Sequence, residues 1–283
     1  MEFNNIKIET VETGIFALDG GAMFGVVPKA LWSRVYSPGD DLNRIPLAAR
    51  NVLVQYGDKK ILIDTGNGTK YNDKLAKIYG IDLEKSDARI NLTPHLIHPE
   101  DITDVVLTHL HFDHAGGATF LLDGVAVPTF PNAKYYVQRE HYEHALKPYD
   151  KDGASFFPEN YLPLMERGIL ELVEGDVEIL PNINVHRFYG HTVAMQLVQI
   201  TAGSENFFFA ADLLPTASHL PFPFIMGYDN QPLVTLEEKK KWLPYIAENN
   251  WTIIFEHDEK IPAAKIQLDA KGKNYEVREI VNI

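Results

Sequence analysis

Three histidines and one aspartate fall within six residues near the middle of this 283-residue chain. The segment 108–117 has the sequence Thr-His-Leu-His-Phe-Asp-His-Ala-Gly-Gly. A short strand is predicted over 104–108 from the apolar residues 105–107, and it leads into the histidines. His109 and His111 lie two positions apart, so at a strand end their imidazoles would project to the same side. The segment therefore predicts a metal site where a strand ends and the chain turns into a helix.

The ligand types limit which metals such a site would hold. Imidazole and carboxylate groups suit Zn²⁺, Mn²⁺, Fe²⁺ or Co²⁺. The chain has no cysteine, which excludes disulfides, thiol catalysis and thiolate-ligated zinc or iron–sulfur sites. An open catalytic metal usually has about three protein ligands and a water. Four candidate ligands on one turn therefore point to two metals.

The charge balance disfavours two classes of partner. Lysine and arginine number 26 and aspartate and glutamate number 39, which gives a net charge of −13. This charge repels nucleic acid and anionic lipid surfaces. We find neither a run of about 18 apolar residues nor a basic N-terminal segment followed by an apolar one. We therefore expect no membrane span and a cytoplasmic protein.

Strand and helix signals alternate along the chain, and no repeat or linker divides it. Runs 51–56 and 60–64 flank a Gly-Asp-Lys turn and predict a hairpin. Thr235 and Glu238 form a capping-box pattern that predicts a helix start just before residues 239–249. Two strand-rich halves with helices between them indicate an α/β protein with two sheets covered by helices, in a single domain over residues 1–283.

The order of several motifs resembles that of the metallo-β-lactamase fold superfamily. Its signature matches His109-x-His111-x-Asp113-His114, and its other motifs follow in the expected order. They are Asp64 in Ile-Leu-Ile-Asp-Thr-Gly, Gly190-His191-Thr192, Asp212 ending Phe-Ala-Ala-Asp, and His257 in Phe-Glu-His-Asp. The resemblance implies a four-layer αββα sandwich of two mixed β-sheets flanked by helices. Two departures stand beside ligands: alanine precedes Asp212 where many relatives have glycine, and Thr-Val-Ala-Met-Gln follows His191 where Thr-Pro-Gly is commoner.

The resemblance also implies a ligand set for two divalent metal ions, with zinc expected and manganese, iron or cobalt as alternatives. The implied ligands are His109, His111 and His191 for one metal and Asp113, His114 and His257 for the other, with Asp212 bridging both. A metal-bridging hydroxide would be the nucleophile. Asp113 is also the candidate to take the proton of that hydroxide and pass it to the leaving oxygen. Asp64 is expected to orient a ligand histidine.

Segments 20–25 and 212–215 resemble the lactonase and organophosphate-hydrolase-like branch of the superfamily. The candidate substrate-pocket residues are Met23, Phe24, Leu213, Leu214 and His219, and the apolar four fit a core position equally well. Tyr149, Tyr189 and Tyr228 are candidate phenol donors, and the sequence does not choose among them. His141 and His144, at i and i+3 of a predicted helix, are expected to be structural.

The leading hypothesis is a binuclear metal-dependent hydrolase that cleaves an ester-like bond of a small molecule, with a lactone as the first candidate. Hydrolysis of aryl esters or phosphotriesters stays open, as does a homodimer. A nucleic-acid-processing enzyme of this fold is disfavoured by the net charge. An iron-dependent oxidoreductase is disfavoured because diiron relatives usually place a glutamate where this chain has His111. A non-enzymatic metal-binding protein is disfavoured because all seven implied ligands are present.

Overall fold

The computed structural model describes residues 1–3 and 5–283, which divide into two compact units. Unit 1 comprises Met1–Phe16 and Ala49–Val177, and unit 2 comprises Ala17–Ala48 and Glu178–Ile283. The assignment of residues 1–283 to a single domain stays a prediction. Among the described residues, no helix is both long enough and apolar enough to cross a membrane.

The described strands form two seven-stranded mixed sheets and one hairpin. They are β1 (Glu2–Phe3), β2 (Ile6–Asp19), β3 (Arg44–Tyr56), β4 (Lys59–Ile63), β5 (Asp104–Val106), β6 (Thr119–Leu122), β7 (Val125–Pro128), β8 (Lys134–Gln138), β9 (Leu170–Val173), β10 (Val177–Leu180), β11 (Ile183–Phe188), β12 (Met195–Ala202), β13 (Glu205–Phe209), β14 (Thr252–Ile254), β15 (Ala263–Leu268) and β16 (Tyr275–Val281). The first sheet has the order β1-β2-β3-β4-β5-β8-β9, the second runs from β10 to β16 in sequence order, and β6 pairs with β7. The predicted class, two mixed sheets with helices, is confirmed.

Most of the described helices are short, and α8 near the C-terminus is the longest of them. The α-helices are α1 (Gly20–Phe24), α2 (Lys29–Val35), α3 (Asp73–Tyr79), α4 (Ala88–Asn91), α5 (Phe112–Ala115), α6 (Arg139–Leu146), α7 (Leu162–Glu166) and α8 (Pro232–Glu248). Single 3₁₀ turns occur at Thr93–His95, Pro99–Asp101, Gly116–Ala118, Gly153–Ser155, Pro158–Asn160, Ala211–Leu213 and Ala217–His219.

The start of α8 corrects one sequence prediction. The helix begins at Pro232 with Gln231 at its N-cap, four residues before Thr235, the N-cap that the capping-box pattern indicates. Proline at the first helical position suits this start, because its missing N–H has no partner to lose and its φ is already helical. Thr235 and Glu238 thus lie inside the first turns of α8, and their side chains bind other groups.

Parallel pairing in the first sheet determines where the first ligands lie. In β4 and β5, Ile63 pairs with Val106, and the apolar side chains of both strands are buried. Strands with continuous apolar runs suit the centre of a sheet that is covered on both faces. Because parallel strands end at the same edge, Asp64 after β4 comes beside Thr108 after β5.

The second sheet repeats this arrangement with the parallel pair β13 and β14, where Phe209 pairs with Ile254. The other pairs from β11 to β16 are antiparallel. Both residues are fully buried. Asp212 follows β13 by three residues and His257 follows β14 by three, so the parallel pair brings both side chains to one edge of the sheet.

Candidate metal centre

Unit 1 contributes one turn of potential ligands, residues 109–114, which we term the unit 1 ligand turn. His109 Nε2 lies 3.0 Å from His111 Nδ1, and Asp113 Oδ2 lies 3.7 Å from His114 Nε2. All four side chains are buried. Around a tetrahedral zinc ion with bonds of about 2.0–2.1 Å, neighbouring ligand atoms stand about 3.3 Å apart. The two side chains of each pair are therefore close enough to bind the same divalent cation.

Asp64 supports this turn from the end of β4. Its Oδ1 accepts a hydrogen bond from the Thr108 backbone N–H at 2.7 Å, and its Oδ2 accepts one from the Thr108 hydroxyl at 2.6 Å. The same Oδ2 lies 3.2 Å from His114 Nδ1. A carboxylate on one ring nitrogen leaves the other nitrogen for a metal, which is the contact that the predicted orienting role requires.

His141 supports the same turn from α6, and sequence reasoning gave it no such role. Its Nε2 accepts a hydrogen bond of 2.8 Å from the backbone N–H of Leu110, the residue between two potential ligands. His141 is fully buried, so the Leu110 N–H would have no water to bond to without it. No local pattern indicates this contact, because 31 residues separate the two positions.

Two glycines let the chain pass closely behind the ligand turn. A Cβ on Gly116 would overlap the carbonyl group of Asn67, and a Cβ on Gly117 would overlap the carbonyl oxygen of Thr65. Both overlaps involve backbone atoms, which cannot rotate away. The Gly-Gly pair is therefore needed for close packing against the loop after β4.

Unit 2 contributes three potential ligands, His191, Asp212 and His257, which we term the unit 2 ligand set. Asp212 Oδ2 lies 3.1 Å from His191 Nε2, and Asp212 Oδ1 lies 3.1 Å from His257 Nε2. The three side chains are at most 8% exposed. One oxygen of the Asp212 carboxylate thus faces each of the two histidines.

Different groups orient the two histidines of this set. His257 Nδ1 lies 2.8 Å from the carbonyl oxygen of Ala48. Because a carbonyl oxygen only accepts, the Nδ1–H of His257 donates this hydrogen bond to a neutral backbone group. His191 Nδ1 lies 3.0 Å from Asp229 Oδ1. Burial lowers the pKa of His191, but the carboxylates of Asp212 and Asp229 outweigh it and raise that pKa to about 9. The pocket around His191 thus stabilises positive charge, as a cation site must.

The two departures from the family's glycines have a structural consequence. Ala194 and Ala211 both adopt positive φ, at 50° and 36°, and both are buried. Alanine in the left-handed region costs about 1–2 kcal/mol, whereas glycine does not pay this steric penalty. Strained backbone therefore lies three residues after His191 and one residue before Asp212.

The five predicted pocket residues are all buried. Their exposed fractions are 1% for Met23, 0% for Phe24, 3% for Leu213, 0% for Leu214 and 1% for His219. The ring of His219 stacks on Phe24 at 4.7 Å, with Nδ1 at 2.8 Å from the Thr216 hydroxyl and Nε2 at 2.8 Å from the Met23 carbonyl oxygen. Burial lowers the pKa of His219 to about 3. The assignment of these five residues to a substrate pocket stays a prediction.

A family model decides the identity. The model described as the metallo-beta-lactamase superfamily matches residues 45–257, which include every potential ligand above. The chain belongs to the metallo-beta-lactamase superfamily. It is a hydrolase of this superfamily, with histidine and aspartate groups able to hold a divalent metal.

The chain is also similar to named hydrolases and lactonases. The chain is 27% identical over 238 residues to N-acyl homoserine lactonase AiiA from Bacillus thuringiensis subsp. kurstaki, covering 78% of this chain and 84% of that protein. A probable metal-dependent hydrolase from Staphylococcus aureus superposes with a TM-score of 0.88 at 29% identity, covering 99% and 100% of the two chains. The dizinc quorum-quenching lactonase AidC superposes with a TM-score of 0.80 at 19% identity, covering 100% and 97%.

Proposed function

We propose that the protein is a binuclear metal-dependent hydrolase that opens the ester bond of a small lactone. The position of Asp212, with one carboxylate oxygen 3.1 Å from each of two histidine nitrogens, carries the proposal. The negative charge of a bridging carboxylate offsets the repulsion between two neighbouring cations. The relatives named N-acyl homoserine lactonase support the choice of a lactone as substrate.

The proposed ligand assignment follows the motif order of the superfamily. One metal would be held by His109, His111 and His191, the other by Asp113, His114 and His257, with Asp212 shared. Imidazole nitrogen and carboxylate oxygen are donors that zinc takes, and we expect zinc. When bound, two such ions lower the pKa of water to about 7 and polarise a carbonyl oxygen.

The chain's own residues then have separate tasks in lactone opening. The oxygen of water bonds to the carbonyl carbon, the ring C–O bond breaks, and a proton passes to the ring oxygen to give an open hydroxy acid. Asp113 is the proposed carrier of that proton, because its carboxylate is on the ligand turn and retains 9% side-chain exposure. Asp64 holds His114 in orientation through the 3.2 Å contact.

The test combines metal analysis with a substrate panel. Protein of measured zinc content is offered an N-acyl homoserine lactone, an aryl ester, a phosphotriester and a β-lactam. We expect the lactone to have the highest kcat/KM by about tenfold or more, a difference of about 1.4 kcal/mol in the barrier. A zinc-loaded protein that turns over the phosphotriester but leaves the lactone intact would contradict the proposal.

A pair of histidine variants completes this test. His111→Ala removes a proposed ligand, whereas His98→Ala removes an exposed histidine near the 3₁₀ turn Pro99–Asp101. We expect the first variant to lose lactone turnover while its far-ultraviolet circular dichroism stays that of the parent. The second should keep both. Normal turnover by zinc-loaded His111→Ala would refute the ligand assignment.

A further inference from the structure

The same three residue types are connected in the same order at one histidine of each unit. In unit 1, the hydroxyl of Thr108 donates to Asp64, and Asp64 faces His114 Nδ1 at 3.2 Å. In unit 2, the hydroxyl of Thr235 donates to Asp229 Oδ2 at 2.7 Å, and Asp229 Oδ1 faces His191 Nδ1 at 3.0 Å. The superfamily motifs include Asp64 but neither Asp229 nor Thr235.

We propose that Asp229 and Thr235 are positioning residues that fix the ring of His191 as a metal ligand and thereby set the affinity of the one metal site to which His191 is assigned. The inference rests on the metal-binding part of the proposed function. Neither residue contacts the substrate in this account. Both act through His191.

Hydrogen-bond chemistry determines the direction of the chain of contacts. An ionised carboxylate only accepts, so the Thr235 hydroxyl must be the donor to Asp229. For the same reason, the proton of neutral His191 belongs on Nδ1, which leaves the lone pair on Nε2, beside Asp212. Asp229 thus selects the tautomer that can bind a metal at Nε2. Losing such an outer partner typically weakens metal binding by about 10–100-fold.

Residues of helix α8 hold the turn that carries His191. Its residue Glu238 accepts hydrogen bonds from the backbone N–H groups of Tyr189 at 2.6 Å and Gly190 at 3.2 Å. A Cβ on Gly190 would overlap both the backbone and the hydroxyl of Thr235. The turn that carries His191 is therefore packed directly on the first turns of α8, which places Thr235 within reach of Asp229.

Burial keeps the chain of contacts intact. His191 is 3% exposed, and Asp229 and Thr235 are each 2% exposed. Water cannot readily replace either partner at such depth, so removal of one leaves a buried polar group with an unmet hydrogen bond. Within this chain of contacts, the hydroxyl of Thr235 can be removed (Thr235→Val) or retained (Thr235→Ser) with little change in side-chain volume.

The experiment measures zinc affinity by competition with a chelating dye. The variants are Asp229→Ala, Asp229→Asn, Thr235→Val and Thr235→Ser. We expect affinity at one of two zinc sites to fall about 100-fold in Asp229→Ala and about tenfold in Asp229→Asn and Thr235→Val. Thr235→Ser retains the hydroxyl and should restore affinity to within about twofold of the parent.

Thr216→Val is the matched control. It removes a buried threonine hydroxyl 2.8 Å from the ring of His219, a histidine that is not a proposed ligand. Its zinc affinity should equal that of the parent. If Asp229→Ala does not fold, the comparison of Thr235→Val with Thr235→Ser decides the inference.

The outcomes separate this inference from the proposed function. If the parent protein binds no zinc, the proposed function itself fails. If the parent binds two zinc ions, and Asp229→Asn and Thr235→Val bind them as tightly, only the positioning role is overturned. Equal loss of affinity in Thr235→Val and Thr235→Ser would also overturn it, since the hydroxyl would then be irrelevant.

Discussion

The unit 1 ligand turn and the unit 2 ligand set contain the same donor types but are built differently. In unit 1, four donors lie within six consecutive residues, so local geometry already groups them. In unit 2, the three donors span 257 − 191 = 66 positions along the sequence and follow three different strands, β11, β13 and β14. Local sequence therefore specifies the first, whereas strand pairing and loop contacts must assemble the second.

This difference extends to the surrounding support. The unit 1 turn is held by Asp64, directly beside it in the sheet, and by His141. The unit 2 set depends on Asp229, on the carbonyl of Ala48 and on a turn packed against α8. We infer that substitutions away from the ligands disturb the unit 2 set more than the unit 1 turn.

The largest effect is expected from the shared carboxylate. Asp212→Asn keeps the shape but removes the negative charge between His191 and His257, so lactone turnover should fall on the order of 1,000-fold. The measurement is kcat/KM with zinc in excess.

Asp104→Asn is the control, because Asp104 is also buried but bonds Lys59 and Tyr136 instead of the proposed ligands. It should keep turnover near the parent value while losing some stability. Equal activity in the two variants would remove the bridging role from the account.

The next effect compares close packing in the two units. Gly190→Ala forces a Cβ into Thr235, and Gly116→Ala forces one into the carbonyl of Asn67. Each should lower the free energy of unfolding by about 1–3 kcal/mol or more. Both should also weaken zinc binding, since each glycine adjoins a ligand segment.

Gly153→Ala is the matched control for thermal unfolding. A Cβ there meets only Pro148 at an ordinary 3.5 Å. Its melting temperature should stay near that of the parent. A Gly190→Ala variant that melts like Gly153→Ala would show that the His191 turn does not need its close contact with α8.

A smaller effect tests the support of unit 1 alone. His141→Ala leaves the buried N–H of Leu110 without its acceptor, which should cost about 1–3 kcal/mol of unfolding free energy. Urea unfolding measures this loss. Because Asp64 still holds the turn, we expect zinc affinity to fall less than in Asp229→Ala. A greater loss in His141→Ala would reverse the comparison between the two units.

The smallest effect concerns the two strained alanines of unit 2. Ala194→Gly and Ala211→Gly each remove the steric strain of an alanine at positive φ. Glycine also adds conformational entropy to the unfolded chain, so the net change in unfolding free energy should lie within about 1 kcal/mol. The expected sign is stabilising, measured by urea unfolding. Ala202→Gly, in strand β12, should instead destabilise. Stabilisation of all three variants alike would rule out strain as the cause.

The sequence was sufficient where neighbours along the chain determine the structure. The β4 and β5 runs, the turn after each and the ligand turn were predicted from apolar runs, histidine spacing and glycines. The family motifs then supplied the class of fold. Asp64 was singled out because the family motif places an aspartate at the end of this early strand.

The rest required contacts that no local pattern contains. Thr235 and Glu238 satisfy a capping-box pattern, yet the helix starts at Pro232 and their side chains bind Asp229 and the backbone before His191. For Glu238, a hydrogen bond to the backbone of Tyr189, 49 positions away, takes the place of the local capping contact that the pattern predicts. His141 bonds Leu110 from 31 positions away. A run of polar loop residues such as 227–231 carries no signal that its aspartate faces a ligand.

Titration of metal-free protein with zinc, followed by the rate of lactone ring opening, tests the central claim most directly. We expect the rate to rise with added zinc and to reach its plateau at about two equivalents per chain. We expect Asp212→Asn to stay near the uncatalysed rate throughout. A plateau at about one equivalent would contradict the binuclear site, and a rate that never rises above the uncatalysed one would contradict the proposed hydrolysis.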